Sequence, residues 1–274
     1  MPELPEVETI KNELSPHIIG QKFTSVTVYD ARAVLQPSVE EFCQKVPGKK
    51  VKSIERRGKY LIFHLSSGQA LIIHLRMSGA LLLNPEQQDK YARVAFQLDS
   101  GSQLVFTDRR RLGVIWLVDD ERAIVGKLGP EPLSLEFTDE TLANRLQKHR
   151  APIKAVLLDQ HIIAGIGNMY ADEALFAARI HPLREANGLS AQEIRNLYES
   201  IRGVLCAAVS SKGASVDTYK RPDGELGTAQ FNFSVAHRRG ESCPTCGTPI
   251  QRLAIRNRGS YFCPQCQKFQ INMT

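Results

Sequence analysis

The spacing of apolar residues changes after the first twenty positions, from a helical to a strand-like pattern. Val7, Ile10 and Leu14 recur at helical spacing and predict an N-terminal helix, which Pro16 and Gly20 are expected to end. Seven short β-rich segments follow, separated by turn residues. They read KFTSVTVYD, KYLIFHLS, QALIIHLRM, ALLLN, RVAFQLD, QLVFTD and VIWLV. This spacing predicts a β-sandwich or a flattened barrel, with the helix packed against it.

Beyond residue 134 the apolar residues return to helical spacing. Four segments are predicted as helices, namely TDETLANRLQKH, PIKAVLLDQ, NMYADEALFAA and SAQEIRNLYESIRGVLCAAV. Ser190 and Glu193 form an S-x-x-E capping box at the start of the last one. The segment 126–134 is rich in proline and glycine and predicts a linker. The segment 211–232 is polar, glycine-rich and aperiodic, which is typical of a functional loop or a disordered one.

Composition and charge narrow the class of protein. Hydrophobic residues make up 42% of the 274, which indicates a globular chain. No run of about 18 apolar residues predicts a membrane span, and the acidic N-terminus lacks the order of a signal peptide, so we expect a cytosolic protein. The net charge of +6 suits a polyanionic partner. Four basic clusters favour a shared phosphate-binding groove over a merely solvated surface; they lie at 56–59, 109–111, 237–239 and 256–258.

The cysteines near the C-terminus have the spacing of a zinc site. The pattern C-x2-C-x16-C-x2-C is formed by Cys243, Cys246, Cys263 and Cys266. This spacing favours one structural Zn2+ held by four thiolates, because cytosolic disulfides, the alternative, are rare. Cys43 and Cys206 lie in apolar patterns and are predicted to be small core residues.

Two further segments have features of phosphate-binding sites. The segment 165–175, GIGNMYADEAL, joins two predicted helices through a glycine turn, with Asn168 expected as the N-cap of the second. Taken alone, an ordinary helix–helix turn explains it slightly better. Between the two cysteine pairs, a predicted hairpin tip carries Arg256, Asn257 and Arg258, as either phosphate ligands or solubilising charge.

The motifs together resemble one family, the bacterial formamidopyrimidine-DNA glycosylases, which repair oxidised purines by base excision. PELPEVET, HLRMSG, TDRRRLG, GIGNMYADEALF and the four-cysteine finger occur in the family's order over essentially the whole chain. The resemblance implies an α+β multidomain fold: an N-terminal helix plus β-sandwich, a helix-two-turns-helix domain and a C-terminal zinc finger. The expected division is a catalytic domain at 1–125, the linker at 126–134, a helical domain at 135–232 and the finger at 233–274. The segment 211–232 corresponds to the family's lesion-capping loop.

The resemblance gives the N-terminus a chemical role. Removal of Met1, expected because a small residue follows it, leaves Pro2 with a secondary amine. An α-amine titrates near pH ~8, so part of it is an uncharged nucleophile at neutral pH. Attack on a sugar C1′ expels the base and forms a Schiff-base (iminium) intermediate, after which β,δ-elimination cleaves the strand. The residues alone leave open whether one strand break or two results.

Other residues take family roles by position. Glu3, next to the nucleophile, is the expected general acid/base. Glu6 either supports the N-terminus or simply favours the helix start by its charge. Lys59, His74, Asn168 and Arg258 correspond to positions that grip phosphates around an extruded nucleotide. The resemblance also implies that Lys59 and Arg258 donate protons in the elimination steps.

Three positions correspond to residues that fill the gap left by the extruded base. Met77 matches a wedge methionine, and Arg110 an arginine whose fork grips the O2 and N3 acceptors of the orphaned cytosine. Leu112 stands where the family usually has phenylalanine, and leucine is an apolar wedge that cannot stack like an aromatic ring. Ala236 and His237 stand where the family usually has tyrosine and glycine, so local contacts there are expected to differ.

Two other functions remain as alternatives. The sister enzyme endonuclease VIII shares the finger and the Pro-Glu start but prefers oxidised pyrimidines; Leu4, Met77 and Arg110 favour the purine enzyme. A non-catalytic zinc-finger DNA-binding protein would have no use for Pro2 behind a removable methionine. The expected partner is double-stranded DNA with oxidised bases, bound by a monomer in the bacterial cytoplasm at the nucleoid.

Overall fold

The computed structural model describes residues 2–86 and 89–269, and these form two compact units. The first unit combines Met1–Lys127 with Val209–Gln230, and the second combines Leu128–Ala208 with Phe231–Thr274. The first boundary falls inside the predicted linker segment. Within the described part of the chain, no helix has both the length and the apolar character needed to cross a bilayer.

The first unit is a β-sandwich with an N-terminal helix. The helices are α1 (Leu4–Ile18), α2 (Val39–Lys45) and α3 (Arg122–Val125). The strands are β1 (Phe23–Val28), β2 (Val34–Gln36), β3 (Val51–Arg57), β4 (Tyr60–Leu65), β5 (Ala70–His74), β6 (Gly79–Leu83), β7 (Ala92–Leu98), β8 (Gln103–Asp108) and β9 (Val114–Val118). All seven predicted strands are confirmed. The pattern missed α2, α3, β2 and β3; β3 ends in charged residues and buries only two of its seven side chains.

Two sheets enclose the main core of this unit. One sheet has the strand order β1-β7-β8-β6 and the other β2-β9-β5-β4-β3, with β2 parallel to β9 and the remaining pairs antiparallel. The inner faces contribute large apolar side chains, among them Phe23, Phe63, Phe96 and Phe106, all fully buried. Burial of such side chains is worth about 1.5–3 kcal/mol each, so the sandwich is a stable support for the turns at its edges.

Helix α1 continues past the residue expected to end it. Pro16 lies inside the helix, which runs to Ile18, and the chain then turns at Gly20, whose φ is +90°. Ile18 is fully buried in the sandwich core. Because Pro16 lies in the last turn, it removes only one hydrogen bond, and burial of Ile18 offsets that loss.

The segment 209–230 groups with the sandwich, whereas the sequence-based division joined it to the helical domain. Tyr219 is buried in the sandwich core, and the Leu83 amide donates to the Pro222 carbonyl at 2.8 Å. Arg221 forms an ion pair with Glu13 of α1 at 2.8 Å. These contacts come from residues far apart in sequence, which an aperiodic segment does not reveal.

The second unit contains the remaining helices and the finger hairpin. Its elements are α4 (Asp139–Leu146), α5 (Ile153–Leu157), α6 (Asn168–Ala177), α7 (Ala191–Ser210), β10 (Gln251–Ile255) and β11 (Arg258–Phe262). The predicted capping box of α7 is confirmed: the Ser190 amide donates to Glu193 at 2.8 Å, and the Glu193 amide donates to the Ser190 hydroxyl at 3.3 Å. Cys206 is exposed on α7, so its prediction as a core residue was wrong.

A buried ion pair joins the helices of this unit to the hairpin. The Lys154 ammonium lies 2.5 Å from the Asp172 carboxylate and also donates to the Gly259 carbonyl at 3.2 Å. Both charged side chains are almost completely buried. Burial raises the pKa of Asp172 to about 7, and the neighbouring ammonium opposes that shift.

We expect Lys154→Met to destabilise the protein by about 3–5 kcal/mol, because it removes the ammonium that pairs with the buried Asp172 carboxylate. The double variant Lys154→Met/Asp172→Leu should recover most of that loss, since no charge is then stranded. Denaturant unfolding of the two variants beside the wild type checks this. Equal stability of the single variant and the wild type would contradict it.

Candidate functional site

The first residues of the chain are held in a defined position by the start of α1. Pro2 is buried, and Glu3, with 1% of its surface exposed, is the N-cap of the helix. Glu3 and Glu6 form a reciprocal capping box in which the Glu3 amide donates to the Glu6 carboxylate at 2.7 Å. The capping box therefore fixes Glu3, the residue that follows Pro2, at the start of the helix.

Glu6 also contacts the glycine-rich segment of the same unit. Its second carboxylate oxygen accepts a hydrogen bond from the Ala214 amide at 2.7 Å, and its side chain is fully buried. Gly213 has a φ of +77°, and a Cβ there would lie 2.9 Å from Glu6 atoms. This close approach requires glycine, so one carboxylate links the N-terminus to the start of the segment.

Lys59 and His74 lie close together where β4 begins and β5 ends, inside the five-stranded sheet. Lys59 follows β3 in a tight turn, and His74 is paired with Tyr60, the next residue along β4. Burial lowers the pKa of His74 to about 3, with the positive charges of Arg76 and Lys59 adding to the effect. The His74 Nδ1 accepts from the Arg76 amide at 3.0 Å. The neutral imidazole therefore carries its proton on Nε2, as a hydrogen-bond donor without charge.

Several cations of the predicted basic clusters form ion pairs within the protein, among them Arg111, which lies 3.7 Å from Asp30. Arg56 is paired with Glu8 at 2.7 Å. Arg238 is paired with Glu241 at 2.8 Å and donates to the carbonyl of Phe233. These arginines stabilise the fold through their ion pairs, so not every charge of the clusters is available to bind a polyanion.

Met77 and Leu112 are exposed apolar residues at the edge of the sandwich. Their exposed fractions are 41% and 43%, which excludes core packing as the reason for either. The Arg110 guanidinium donates to the Met77 sulfur at 3.0 Å. Three residues that the sequence links by resemblance alone thus lie on two neighbouring turns.

The second unit contains the two remaining predicted phosphate contacts. Asn168 is the first residue of α6, and Gly167 is its N-cap, so the predicted capping role of Asn168 was wrong. Instead, the Asn168 amide donates to the Gly259 carbonyl at 3.0 Å. Arg258 is exposed at the start of β11, after a two-residue turn in which Arg256 and Asn257 have φ values of +45° and +61°. This backbone is that of a type I′ hairpin turn.

The buried Glu173 anchors the chain that enters the finger. Its carboxylate accepts hydrogen bonds from the amides of Ser234, Val235 and Ala236, each at 2.8 Å. Burial raises the pKa of Glu173, and these donors act in the opposite direction. His237, at the position where the family usually has glycine, has a φ of +64°. Glycine adopts this left-handed conformation more easily than histidine, so histidine at this position adds backbone strain.

Three buried charged residues, Glu173, Lys154 and Asp108, are not among the site residues predicted from the sequence. Each is a charged side chain within or beside an apolar run, and that is the signal that could have found them. Their partners lie elsewhere in the chain, so the pattern alone does not show what they hold.

The four predicted metal ligands converge in the finger. The sulfur atoms of Cys243, Cys246, Cys263 and Cys266 all lie within 4.8 Å of one another. Two of the separations are 3.5 and 3.8 Å. A tetrahedron with zinc–sulfur bonds of about 2.3 Å has edges of about 3.8 Å, so the set fits one Zn2+. Four thiolates leave no open position, and the ion when bound supplies folding energy and no chemistry.

We expect Cys263→Ser to lower the zinc content of the purified protein to well below one equivalent and to reduce the melting temperature. The small finger has few apolar residues and depends on the metal for its fold. Cys206→Ser, at an exposed thiol outside the cluster, is the matched control and should retain one equivalent. Metal analysis and thermal unfolding test both variants. Full zinc content in Cys263→Ser would contradict the assignment.

The lowered pKa of His74 predicts a specific acid sensitivity. Between its unfolded pKa of about 6.5 and its folded value of about 3, the unfolded state binds a proton that the folded state does not. Stability is therefore lost as the pH falls through this window. In His74→Gln the loss between pH 6 and 4 should be smaller by about 1 kcal/mol per pH unit. Urea unfolding across this range measures it, and a wild-type slope in His74→Gln would contradict the assignment.

Three family models match this chain in order. The formamidopyrimidine-DNA glycosylase N-terminal domain matches residues 1–115, and the H2TH domain of the same enzyme matches residues 128–220. The zinc finger found in FPG and IleRS matches residues 240–268. The three matches follow the sandwich, the helices and the four-cysteine finger described above.

Curated relatives extend over nearly the full length. A formamidopyrimidine-DNA glycosylase of Chloroflexus aurantiacus is 45% identical over 271 residues, covering 97% of this chain and 98% of the relative. One from Symbiobacterium thermophilum is 43% identical, covering 97% and 89%. Both relatives carry the enzyme name that the motifs predicted.

Solved structures have the same fold. The complex between Lactococcus lactis Fpg and an abasic site containing DNA aligns with a TM-score of 0.91 at 36% identity, covering 97% of this chain and 100% of that one. The MutM (FPG) protein of Thermus thermophilus aligns with a TM-score of 0.89 at 39% identity, covering 97% and 98%. With the motifs, the sandwich, the helices and the thiolate cluster all in agreement, this chain belongs to the formamidopyrimidine-DNA glycosylase family.

Proposed function

We propose that this protein is a bifunctional DNA glycosylase and AP lyase that removes oxidised purines, such as 8-oxoguanine and formamidopyrimidines, from duplex DNA. The observation that carries the proposal is the fixed N-terminus: Pro2 is buried beside Glu3, at the start of a helix that Glu6 anchors. The relatives support it, since Lactococcus lactis enzymes have been solved with an abasic site containing DNA and with a Fapy-dG containing DNA.

The proposed chemistry begins after Met1, which lies outside the described residues, has been removed. The Pro2 nitrogen attacks the sugar C1′, the bond to the base breaks, and the base leaves with its electron pair and takes up the proton that the Pro2 amine gives up. Glu3 protonates the ring oxygen, so the sugar opens to an iminium on Pro2. The Glu3 carboxylate then takes a C2′ proton as the 3′ phosphate leaves, and a second elimination, with loss of the C4′ proton, expels the 5′ phosphate. Lys59 and Arg258 donate protons in these steps, and water finally releases Pro2.

Recognition requires the damaged nucleotide to leave the base stack. His74 donates to a phosphate from its neutral Nε2–H, while Lys59, Asn168 and Arg258 make the other phosphate contacts. Met77 and Leu112 fill the vacated space, and the Arg110 guanidinium donates hydrogen bonds to the O2 and N3 of the orphaned cytosine. The segment 211–232 covers the extruded base.

The protein acts as a monomer in the bacterial cytoplasm, at the nucleoid. The domain division stays a prediction, which differs from the division into two compact units. It consists of a catalytic domain at 1–125, a linker at 126–134, a helical domain at 135–232 and a finger at 233–274.

Two alternatives are less well supported. An enzyme for oxidised pyrimidines shares the finger and the Pro-Glu start, but the contact of Arg110 with Met77 on adjoining turns suits recognition of a cytosine opposite a purine lesion. A non-catalytic DNA-binding protein would not need Pro2 and Glu3 fixed at a buried helix start.

Borohydride trapping tests the proposal on a duplex with 8-oxoguanine opposite cytosine, using protein whose N-terminal Pro2 is confirmed by mass spectrometry. We expect a covalent adduct. In Pro2→Glu trapping should fall by on the order of 100-fold, because the ring amine is lost and a large residue keeps Met1 in place. Pro16→Ala, which alters an exposed proline of the same helix, should trap like the wild type.

Binding to a duplex with a stable abasic analogue serves as the folding control for Pro2→Glu. An adduct with an oxidised pyrimidine alone would move the protein to the sister class. Tight binding without any adduct would leave a DNA-binding protein and refute the catalytic proposal.

A further inference from the structure

The three gap-filling residues lie on two turns that are separate in sequence. One turn connects β5 to β6 across residues 75–79, and the other connects β8 to β9 across residues 108–113. Met77 and Leu112 are exposed at their tips, and Arg110 reaches the Met77 sulfur. Exposed side chains on turns are normally mobile, so a fixed arrangement needs support from below.

Asp108 supplies that support for the second turn. Its side chain is fully buried, and one carboxylate oxygen accepts from the amides of Leu112 and Gly113, both at 2.6 Å. The other oxygen accepts from the Arg110 amide at 3.1 Å. The backbone of Arg110 and of Leu112, the two functional residues of this turn, is therefore held by one carboxylate.

Ser78 extends the same support to the first turn. Its hydroxyl donates to the Asp108 carboxylate in a short hydrogen bond and accepts from the Arg110 amide at 3.1 Å. Ser78 is buried and is the immediate neighbour of Met77. A single hydroxyl thus joins the turn that carries the methionine to the turn that carries the arginine.

Both turns also rest on one aromatic ring. A Cβ built on Gly79 would lie 3.0 Å from the Phe106 ring, and one on Gly113 would lie 2.5 Å from it. Phe106 is fully buried on β8. Any side chain at either glycine would lift its turn from this support.

The backbone in both turns is held in an unusual conformation. Arg76 and Arg111 have φ values of +55° and +58°, in the left-handed region that non-glycine residues rarely adopt. Such conformations persist only where the surroundings determine them, and they concentrate at functional sites. Around Arg111 the hydrogen bonds to Asp108 and Ser78 hold the flanking backbone, and at Arg76 the amide donates to the His74 Nδ1 at 3.0 Å.

We propose that Asp108 and Ser78 form a clamp that positions Met77, Arg110 and Leu112 as one rigid unit, and that discrimination of the base opposite the lesion depends on this clamp. The inference rests on the proposed function. Neither residue contacts DNA in this role; both are positioning residues. A bidentate arginine distinguishes bases only when its fork is placed within about 0.5 Å, and a loosened turn loses that accuracy first.

Single-turnover cleavage of duplexes with 8-oxoguanine opposite cytosine or opposite adenine tests the clamp. Asp108→Asn removes acceptors and places an amide against amide donors, and Ser78→Ala removes the link between the turns. Each should lower the cytosine-over-adenine rate ratio by about tenfold, the effect of one buried hydrogen bond. Ser78→Thr keeps the hydroxyl and should retain most of the ratio.

Asp120→Asn is the matched control, because Asp120 is also a turn carboxylate that accepts from a nearby amide, of Arg122 at 2.9 Å, but it follows the opposite end of β9 from the turn that carries Arg110. It should leave the ratio unchanged. Trapping of each variant on a preformed abasic site separates positioning from general damage, since the Pro2 chemistry should remain within about twofold of the wild type.

Two results would overturn the clamp. One is an unchanged ratio in Ser78→Ala and in folded Asp108→Asn. The other is a ratio lost together with trapping at abasic sites, which would indicate general unfolding of the unit. A wild-type protein that cleaves neither duplex and is not trapped would refute the proposed function itself, and this inference with it.

Discussion

The buried carboxylate of Glu6 is the interaction on which the proposed catalytic end of the protein depends. It accepts one hydrogen bond from the Glu3 amide and another from the Ala214 amide, both at 2.7 Å. A carboxylate removed from water requires such donors, because an unsatisfied buried charge is costly. Loss of either hydrogen bond would therefore destabilise the fold. The same carboxylate sets both the position of Pro2 and the path of the glycine-rich segment.

The same device recurs at two other irregular segments. Asp108 accepts hydrogen bonds from backbone amides of the turn that carries Arg110, and Glu173 accepts hydrogen bonds from three successive amides at the entry to the finger. In each case the segment has no regular hydrogen-bonding ladder of its own, so a buried acid supplies the acceptors that a helix or sheet would otherwise supply. The regular elements bury the apolar area, and these acids decide where the functional loops lie.

The sequence predicted what depends on local patterns. Periodicity identified seven strands of the sandwich and the main helices, the S-x-x-E pattern identified the cap of α7, and cysteine spacing identified the metal ligands. It failed where tertiary contacts override local preference: Pro16 does not end α1, and Asn168 contacts the Gly259 carbonyl instead of capping α6. Asp108 and Ser78 are thirty positions apart, and Glu6 and Ala214 are 208 apart, so no window of sequence contains both partners.

The first compact unit is assembled from two stretches of chain that are separated by most of the second unit. During synthesis, Tyr219 and the Ala214 amide emerge long after the sandwich strands they complete. At about 5–20 residues per second, the roughly 100 residues between Lys127 and Gln230 take on the order of 5–20 s to appear. Throughout that interval the nascent sandwich lacks the side chain that fills its core and the amide that satisfies Glu6. The ribosome-bound chain therefore cannot complete the surroundings of Glu6, and with them the proposed nucleophile site, before most of the protein has been made.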